Sequence, residues 1–306
     1  PMNIFLGIDI GGSSFKYGWG NCEEGLQSYQ TLVLQRKNID DFFAVAKELF
    51  NDVDSKIGLN NIRGIGIGIP GAIDKTTGLV TENNPNLPFW VEHHPRELLP
   101  ENCNIPFAFD NDANLMALAE SYTQKKNYVI GVTVGSGIGC GIVIDGKIYH
   151  GAYGFAGELG HICIVDKGLR CNCGKNGCLE AYSSGEGLRR RLALKNPCYA
   201  EMDLPAILAI KETDNLVGDY IKQGQLFLAT ALSGLATCLD PEIIIIGGGA
   251  MDLGLYYIEE LEREIKKRLP PAHSIKLKVA KAINGNKAGV LGAIKLIEDK
   301  FNSKEE

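Results

Sequence analysis

The sequence predicts an α/β fold made of two halves of similar design. In residues 3–20, an apolar stretch leads into the turn Gly11-Gly12-Ser13-Ser14, and a second apolar stretch returns from it. The same order of strand, glycine turn and strand recurs in residues 128–149, around Gly135-Ser136-Gly137-Ile138-Gly139. Elsewhere strand-like and helix-like stretches alternate, which is typical of α/β proteins. Two unrelated hairpins would also fit, but the repeat favours a duplicated fold with a ligand between the halves.

The spacing of apolar residues predicts the other elements in order. Helices are expected at residues 42–57, 113–126, 185–194, 204–212 and 216–239, between the glycine run 247–249 and Leu269, and at 289–301. Strands are expected at residues 62–69, 106–109, 242–246 and 275–280. Gly58 is a suitable C-cap for the first of these helices. We predict a smaller domain of residues 1–115 and 289–306, and a larger domain of residues 116–288.

Composition and charge exclude several classes of partner. Apolar residues make up 45% of the 306 residues and charged residues 22%, the balance of a globular protein. The net charge is −6 and the only notable basic run is Arg189-Arg190-Arg191, so we expect no nucleic-acid partner. The apolar run at residues 243–246 is too short to cross a bilayer, and we expect no membrane association. Nine cysteines, an odd number, and no signal peptide are typical of a cytoplasmic protein.

One imidazole and three thiols form the most informative cluster in the sequence. They are His161, Cys171, Cys173 and Cys178. These donors suit a tetrahedral zinc ion, and four protein ligands would leave no open position, so the ion would be structural. Disulfides and a chance cluster of cysteines are the alternatives, but residues spaced as Cys-x-Cys bridge poorly, and Gly174 and Gly177 provide the tight turn that a zinc knuckle needs. Two carboxylates, Glu158 and Glu180, flank the cluster, and a zinc-fixed loop would hold them in positions suited to a polyhydroxylated ligand such as a sugar.

The two glycine turns are candidate phosphate sites. In Gly11-Gly12-Ser13-Ser14 the bare backbone N–H groups can approach a phosphate, and the serine hydroxyls add donors. Gly135-Ser136-Gly137 has the same features, so two turns that face each other would hold a chain of phosphates. Each turn alone is a weak signal. Lys16 is a further nucleotide-binding candidate, and Asp9 would hold a magnesium ion through water.

Two other glycine-rich segments need separate interpretation. Gly66-Ile-Gly68-Ile-Pro70-Gly71 matches the dinucleotide-binding pattern G-x-G-x-x-G, but its glycines lie inside a strand instead of opening a helix. We interpret Gly66 and Gly68 as packing glycines and Gly71 as a point of ligand approach. Gly247-Gly248-Gly249 lies between a strand and a helix, where the ribose or base of a nucleotide would contact the backbone.

Polar side chains follow the strand predicted at residues 106–109. Asp110, Asn111, Asp112 and Asn114 lie where this strand ends and a helix begins, and such ends bind ligands in open α/β sheets. Ordinary helix capping is the alternative, since Asn and Asp are preferred N-caps. Capping needs only one of these side chains, so we expect the others to be available for binding or catalysis.

Together these motifs resemble the ROK family (repressors, open reading frames and kinases) of the actin/hexokinase superfamily, over essentially the whole chain. The matching segments are Asp9-x-Gly-Gly-Ser, Gly68-x-Pro-Gly71, Asn86-Leu-Pro-Phe-Trp90, Asp110-Asn-Asp112-Ala-Asn114, Gly135-Ser-Gly-x-Gly139, Gly151-x-x-Gly-x-Ala-Gly157-Glu158-x-Gly-His161, Cys171-x-Cys-Gly-x-x-Gly-Cys178-x-Glu180 and Gly247-Gly-Gly. The resemblance implies a duplicated, ribonuclease H-like two-domain fold with a central interdomain cleft. Ser13 and Ser136 stand where the family usually has threonine, and both keep the hydroxyl.

The resemblance also implies a role for each candidate residue. Asp112 would be the general base for the sugar hydroxyl. The implied sugar ligands are Gly71, Asn86, Asn111, Asp112, Glu158, His161 and Glu180. The implied nucleotide-binding residues are Gly11, Gly12, Ser13, Ser14, Lys16, Gly135, Ser136, Gly137, Gly248 and Gly249. The implied zinc ligands are His161, Cys171, Cys173 and Cys178, with the other nitrogen of His161 facing the sugar, and Asp9 would bind magnesium through water.

The implied activity is phosphorylation of a hexose at its 6-hydroxyl by ATP with Mg²⁺. The segment Asn86–Trp90 favours glucose, while kinases of N-acetylmannosamine, N-acetylglucosamine or fructose are alternatives, because their hydroxyl ligands would be nearly the same. Polyphosphate is an alternative donor to ATP. A sugar-sensing repressor would need a DNA-binding domain, and we expect none ahead of Asp9; a non-catalytic sugar-binding protein is a further alternative. We also expect a homodimer or a larger homo-oligomer.

Overall fold

The computed structural model describes residues 3–35, 38–81 and 87–305, and in it the chain divides into two compact units. The first unit contains the chain up to Gln124, the segment Lys147–Ala156 and the residues from Asn286 onward. The second unit contains Lys125–Gly146 and Gly157–Gly285. The first unit extends past the predicted boundary at residue 115, because Asp112–Gln124 is one continuous helix.

The first unit is built on a mixed sheet. Its strands are β1 (Ile4–Ile10), β2 (Ser14–Asn21), β3 (Gly25–Leu26), β4 (Gln30–Val33), β5 (Ile62–Ile69) and β6 (Phe107–Asn111). Their order is β3-β2-β1-β5-β6, and β4 also pairs with β2. Strand β1 is antiparallel to β2 and parallel to β5, which is parallel to β6. The sequence analysis missed β3 and β4, which are short and carry no regular apolar alternation.

The helices of this unit cover both faces of the sheet. They are α1 (Ile39–Ile57), α2 (Asp112–Gln124) and the last helix of the chain, α9 (Ala288–Glu305), and a two-residue strand, β9, lies at Lys147–Ile148. Asn38 caps α1 by accepting a hydrogen bond from the Asp41 N–H, and Gly58 ends the helix with φ of 75°, as predicted. Phe42 of α1 lies in one buried cluster with Ile67 of β5.

Strand β5 shows why the sheet can hold a helix so closely on one face. Its sequence alternates isoleucine with glycine, and successive side chains of a strand point to opposite faces. The isoleucines join the cluster with α1, whereas a Cβ added at Gly66 would lie 1.9 Å from the carbonyl oxygen of Ala293 in α9. A Cβ at Gly68 would lie 2.8 Å from Leu115 Cδ1 of α2. The interpretation of both residues as packing glycines is confirmed.

Replacing Gly66 by alanine is therefore expected to separate α9 from the sheet. The added methyl group meets backbone atoms, at 1.9 Å from the carbonyl oxygen and 2.4 Å from the carbonyl carbon of Ala293, and a backbone cannot rotate aside as a side chain does. We expect the free energy of unfolding to fall by about 3 kcal/mol, the upper end of the usual cost of overpacking, measured as a lower denaturation midpoint. A matched control is Gly234→Ala, where the new Cβ meets no atom within 4 Å. That change lies within a helix, so the midpoint should stay or rise slightly. An unchanged midpoint for Gly66→Ala would contradict the packing role.

The second unit repeats the pattern of the first sheet. Its strands are β7 (Val129–Val134), β8 (Ile138–Ile144), β10 (Ile243–Gly247) and β11 (Lys278–Lys281), in the order β11-β10-β7-β8. Strand β7 is antiparallel to β8 and parallel to β10, which is parallel to β11. In the first unit, β2, β1, β5 and β6 have the same order and the same directions. The duplication that the two hairpins predicted is confirmed.

The helices of the second unit follow the predicted spacing with one correction. They are α3 (Glu180–Ser183), α4 (Gly185–Ala193), α5 (Leu204–Ala209), α6 (Asn215–Leu239), α7 (Leu255–Lys266) and α8 (Pro271–Lys276). The strand predicted at residues 275–280 is wrong at its beginning. Pro271 opens a short helix there, and the side chain of Ile275 is 84% exposed, so the strand begins only at Lys278.

No helix within the ranges that the structure describes is both long enough and apolar enough to cross a bilayer.

Candidate active site

The candidate residues of the first unit gather at the carboxyl end of its parallel strands. Because β1, β5 and β6 run in the same direction, their carboxyl ends share one edge of the sheet, where open α/β folds bind ligands. In this register Asp9 is paired with Gly68, and Gly68 with Asp110. Asn111 and Asp112 follow directly, at the end of β6 and the beginning of α2.

Asp9 is a buried carboxylate with one nearby cation. Its Oδ2 lies 3.5 Å from Nζ of Lys16, the residue paired with it on β2. A Cβ added at Gly289, in the first turn of α9, would lie 2.3 Å from the Asp9 carboxyl carbon, so this helix begins directly against the carboxylate. Burial raises the pKa of Asp9, and the charge of Lys16 partly opposes this. An oxygen ligand of this kind suits magnesium.

The turn between β1 and β2 is closed by its own backbone. The N–H of Gly11 donates to the carbonyl of Ser14 at 2.9 Å, and the N–H of Leu34 donates to the carbonyl of Ser13 at 2.8 Å. Ser13 is exposed, whereas Gly11, Gly12 and Ser14 are half-buried. The turn therefore presents a hydroxyl and backbone groups to solvent beside Asp9 and Lys16.

Asn111 is hydrogen-bonded to a second predicted sugar ligand, Gly71. Its Oδ1 accepts hydrogen bonds from the backbone N–H of Ala113 and Asn114, at 2.9 and 3.3 Å, so Asn111 is the residue that caps α2. Its Nδ2 donates to the carbonyl of Gly71 at 3.0 Å, where φ is 99°. The Asn111 side chain therefore both caps α2 and contacts Gly71, and these hydrogen bonds fix its orientation.

Asp112 is the first residue of α2 and is half-buried. Its Oδ1 accepts from the N–H of Ala113 at 2.9 Å. Burial, and then the negative charge of Asp9, raise the pKa of Asp112 to about 6, although the Ala113 N–H opposes the shift. A carboxylate with a pKa close to neutral is well suited to accept a proton from a hydroxyl group.

Asp110 has a partner that the sequence analysis missed. Its carboxylate is buried, and it lies 2.5 Å from Nε2 of His150 and 2.8 Å from Nδ2 of Asn114. The expectation that all but one of these polar side chains would be available is therefore wrong for Asp110, which these contacts occupy. His150 is forty positions away and stands in no motif that pairs it with Asp110, so no sequence signal identified this contact.

In the second unit, two glycine segments lie side by side at the ends of β7 and β10. A Cβ added at Gly248 would lie 2.7 Å from the carbonyl oxygen of Val134, and Gly135 and Gly249 line one small cavity of about 50 Å³. Tyr182 and Tyr257 are among the residues that line the same cavity. The nucleotide-binding candidates of this unit are thus neighbours, next to a largely apolar surface.

The turn after β7 also contacts a helix and a carboxylate. The N–H of Gly185, at the beginning of α4, donates to the carbonyl of Gly135 at 2.7 Å, and the N–H of Glu186 donates to the carbonyl of Ser136 at 3.3 Å. A Cβ added at Gly137 would lie 2.6 Å from Oε2 of Glu180. This oxygen accepts from the N–H of Ile138 at 3.0 Å. The predicted phosphate turn and a predicted sugar ligand are therefore in direct contact.

The three thiols and the imidazole converge on one point. The donor atoms of His161, Cys171, Cys173 and Cys178 all lie within 4.8 Å of one another. Cys173 and Cys178 are separated by 3.6 Å between their sulfurs, and Cys171 Sγ lies 3.7 Å from His161 Nδ1. With zinc–sulfur bonds of ~2.3 Å, a tetrahedral site places two sulfurs about 3.8 Å apart. These two distances are close to those of a tetrahedral zinc site, and the four donors are of the types that zinc prefers.

The orientation of His161 leaves one ring nitrogen for other partners. Nδ1 points to Cys171, and Nε2 lies 3.8 Å from Oε2 of Glu158. Glu180 also borders the cluster, with its Oε1 at 3.8 Å from Cys171 Sγ. Two carboxylates therefore lie next to the four donors, one beside the imidazole and one beside a thiol. Asn86, the remaining predicted sugar ligand, lies outside the described residues.

Comparison with known proteins places the chain in a family. The model of the ROK family matches residues 5–300. This chain belongs to the ROK family. A glucokinase from Halalkalibacterium halodurans is 30% identical to the ROK chain over 328 aligned residues, which cover 99% of this chain and 97% of that protein. An N-acetyl-D-glucosamine kinase from Pectobacterium atrosepticum is 29% identical over 306 residues, covering 95% of this chain and 97% of the relative.

A solved structure gives the same result for the fold. The crystal structure of a ROK family glucokinase from Streptomyces griseus, in complex with glucose and AMPPNP, matches the ROK chain with a TM-score of 0.79 at 26% identity. The match covers 97% of this chain and 100% of the Streptomyces griseus chain. The predicted α/β fold of the duplicated actin/hexokinase type is confirmed. These relatives share phosphorylation of a sugar but differ in the sugar that they are named for.

Proposed function

We propose that this ROK chain transfers the γ-phosphoryl group of ATP to the 6-hydroxyl of a hexose, and that glucose is the preferred sugar. The observation that carries the proposal is Asp112, a half-buried carboxylate at the carboxyl edge of the first sheet, with a pKa raised to about 6. Family membership and the named activities of the relatives support a sugar as the acceptor.

Phosphoryl transfer depends mainly on positioning and on neutralising charge, because its transition state is loose. In the proposed mechanism Asp112 accepts the proton of the attacking hydroxyl group. The turn of Gly11, Gly12, Ser13 and Ser14 binds phosphate oxygens with backbone and hydroxyl donors. Lys16 adds a positive charge next to Asp9, and Asp9 would hold magnesium through water. When bound, the ion would supply further positive charge to the phosphates.

Residues of the second unit also have proposed roles. We propose that Gly135, Ser136 and Gly137 bind phosphate groups, and that the backbone at Gly248 and Gly249 lies against the nucleoside. The largely apolar surface next to Gly135 and Gly249 supports this assignment, since an adenine base needs apolar contacts.

The sugar would be held by hydroxyl-binding groups from several segments. We propose Gly71, Asn86 and Asn111 together with Glu158, His161 and Glu180. In the structure, Nε2 of His161 lies 3.8 Å from a carboxylate oxygen of Glu158, and such a pair can donate to and accept from vicinal hydroxyls. Zinc bound by His161, Cys171, Cys173 and Cys178 would fix the imidazole through Nδ1 and leave Nε2 for the sugar.

N-acetylglucosamine is the second candidate substrate, because one of the relatives described above is a kinase of that sugar. A panel of glucose, N-acetylglucosamine, N-acetylmannosamine and fructose, each with ATP and with polyphosphate as donor, would decide between them. We expect kcat/KM with glucose and ATP to exceed every other pair by at least roughly tenfold, since one pocket contact distinguishes substrates by about that factor. Measurement of ADP release, with identification of the phosphorylated carbon by NMR, checks both the sugar and the position. A higher kcat/KM for N-acetylglucosamine would contradict the choice of glucose, and no turnover with any sugar would contradict the kinase.

A further inference from the structure

A fourth cysteine, Cys163, lies opposite one member of the four-donor cluster on a short antiparallel pair of segments. The N–H of Leu179 donates to the carbonyl of Ile162 at 2.9 Å, and the N–H of Ile164 donates to the carbonyl of Gly177 at 2.8 Å. Between these two hydrogen bonds, Cys163 and Cys178 form an isolated bridge pair. Because the bonds are made by the flanking residues, the two cysteines are a non-hydrogen-bonded pair, whose Cα atoms lie about 4.5 Å apart.

This pairing has the backbone geometry that a disulfide needs. Bridged cysteines have Cα separations of roughly 4.4 to 6.8 Å, and side chains directly opposite each other in such a pair point to the same face. Both cysteines are free thiols here, and Cys178 belongs to the four-donor cluster whereas Cys163 does not. The Cys163 sulfur lies 3.6 Å from the carbonyl oxygen of Val165 instead. Rotation about the Cα–Cβ bond of Cys163 is the movement that would bring the two sulfurs together.

The two thiols also differ in their access to solvent. Cys163 is exposed, whereas Cys178 is buried, with a side chain that contacts Cys173. An oxidant in solution would therefore meet Cys163 first, and the cysteine paired with it across the two segments, Cys178, is a proposed zinc ligand. Exposed thiols next to a second cysteine are the arrangement found in redox-sensitive proteins.

We propose that Cys163 and Cys178 form a peroxide-sensitive pair that controls the metal cluster. The sulfur of Cys163 attacks one oxygen of a hydroperoxide, which breaks the O–O bond, gives a sulfenic acid and releases water or an alcohol. The sulfur of Cys178 then attacks the sulfenic sulfur, the hydroxyl group leaves as water with a proton from solvent, and a disulfide forms. The two thiols lose two electrons and the peroxide gains them.

The consequence for the metal rests on the proposed zinc site, whereas the disulfide itself does not. A sulfur held in a disulfide is no longer a thiolate ligand, so the cluster would keep only His161, Cys171 and Cys173. Zinc would bind more weakly and leave, and the loop that positions His161 and Glu180 would lose its anchor. Oxidation would thus inhibit the enzyme, and a thiol reductant with added zinc would restore it.

The test uses the purified full chain treated with hydrogen peroxide. We expect peptide mass spectrometry without reduction to find a Cys163–Cys178 disulfide, released zinc to match the disulfide mole for mole, and activity to return with dithiothreitol and Zn²⁺. The variant Cys163→Ser should keep its basal activity and lose zinc at least roughly tenfold more slowly under the same treatment. Cys198→Ser, at another exposed cysteine, is the matched control and should respond as the parent does.

Four results would separate the proposals. Loss of zinc from Cys163→Ser as fast as from the parent would overturn the role of Cys163, as would a bridge between Cys173 and Cys178 as the main product. A Cys163–Cys178 disulfide in protein that contains no zinc before treatment would support the pair and overturn the metal site. Irreversible oxidation of Cys163 without any bridge would overturn the pair.

Discussion

Asp112→Asn is expected to lower kcat by roughly 10²- to 10⁴-fold, the usual contribution of a positioned base. The amide keeps the size of the side chain but cannot accept the proton of the sugar hydroxyl. The parent enzyme should also lose kcat/KM as the pH falls below about 6, because protonation of Asp112, whose pKa is about 6, removes the base. Steady-state kinetics across the pH range measure both effects, and the acid limb should disappear in the variant.

Stability measurements distinguish this loss of catalysis from a loss of fold. The pKa of Asp112 is raised above the value of 3.8 for an ordinary carboxyl, so the folded state holds its proton more tightly than the unfolded chain does. The ionised side chain therefore destabilises the fold at neutral pH, and Asp112→Asn should have an equal or higher Tm. Asp219→Asn, at an exposed carboxylate on α6, is the control and should change neither quantity. Turnover within tenfold of the parent would contradict the assignment.

Cys173→Ser should remove the metal and weaken the second unit. Structural zinc sites contribute directly to folding, so we expect zinc content to fall from about one per chain to near zero and the free energy of unfolding to drop by more than about 3 kcal/mol. Elemental analysis gives the zinc content, and thermal unfolding gives the stability. The kcat/KM for the sugar should fall by roughly 10²-fold, because His161 and Glu180 lose their fixed positions.

The control for this prediction is Cys238→Ser, since Cys238 is exposed on α6 and belongs to no described donor cluster. It should keep the zinc content and the Tm of the parent. If the parent contains no zinc after purification with Zn²⁺ present, the cluster is not a metal site. If Cys173→Ser loses zinc but keeps kcat/KM, the metal does not position the sugar ligands.

The sequence predicted the parts of the fold that depend on local pattern. Strand β5 and helix α6 were found within a few residues, because each has a strong apolar period and a clear cap or turn at its end. Strand β4 is only four residues long, and none of its side chains is fully buried. The spacing of apolar residues therefore did not predict it. The apolar side chain of Ile275 favoured a strand in the sequence analysis. In the structure Pro271 begins a short helix, and Ile275 lies on it with an exposed side chain.

The candidate site was predictable where its residues stand in motifs and unpredictable where it depends on long-range contacts. Spacing alone brought His161 and Cys171 to one cluster, which the structure also contains. The contact between Gly137 and Glu180 joins residues far apart in sequence, and so does the pair of Asp110 with His150. Such contacts follow from how strands and helices pack, and no local pattern encodes them. The roles of these residues in catalysis stay predictions.

The glycine face of β5 has a consequence for how this polypeptide is made. Helix α9, which lies against that face, is the last element of the chain, and its Val290, Ile294 and Ile297 share a buried cluster with Phe5 of β1. During translation the ribosome therefore releases the partner of the first strands only after the residues up to Gly285 have been made. The residues from Lys125 to Gly285 that form most of the intervening chain are complete earlier. Nascent chains halted before residue 288 should expose the bare sheet to chaperones.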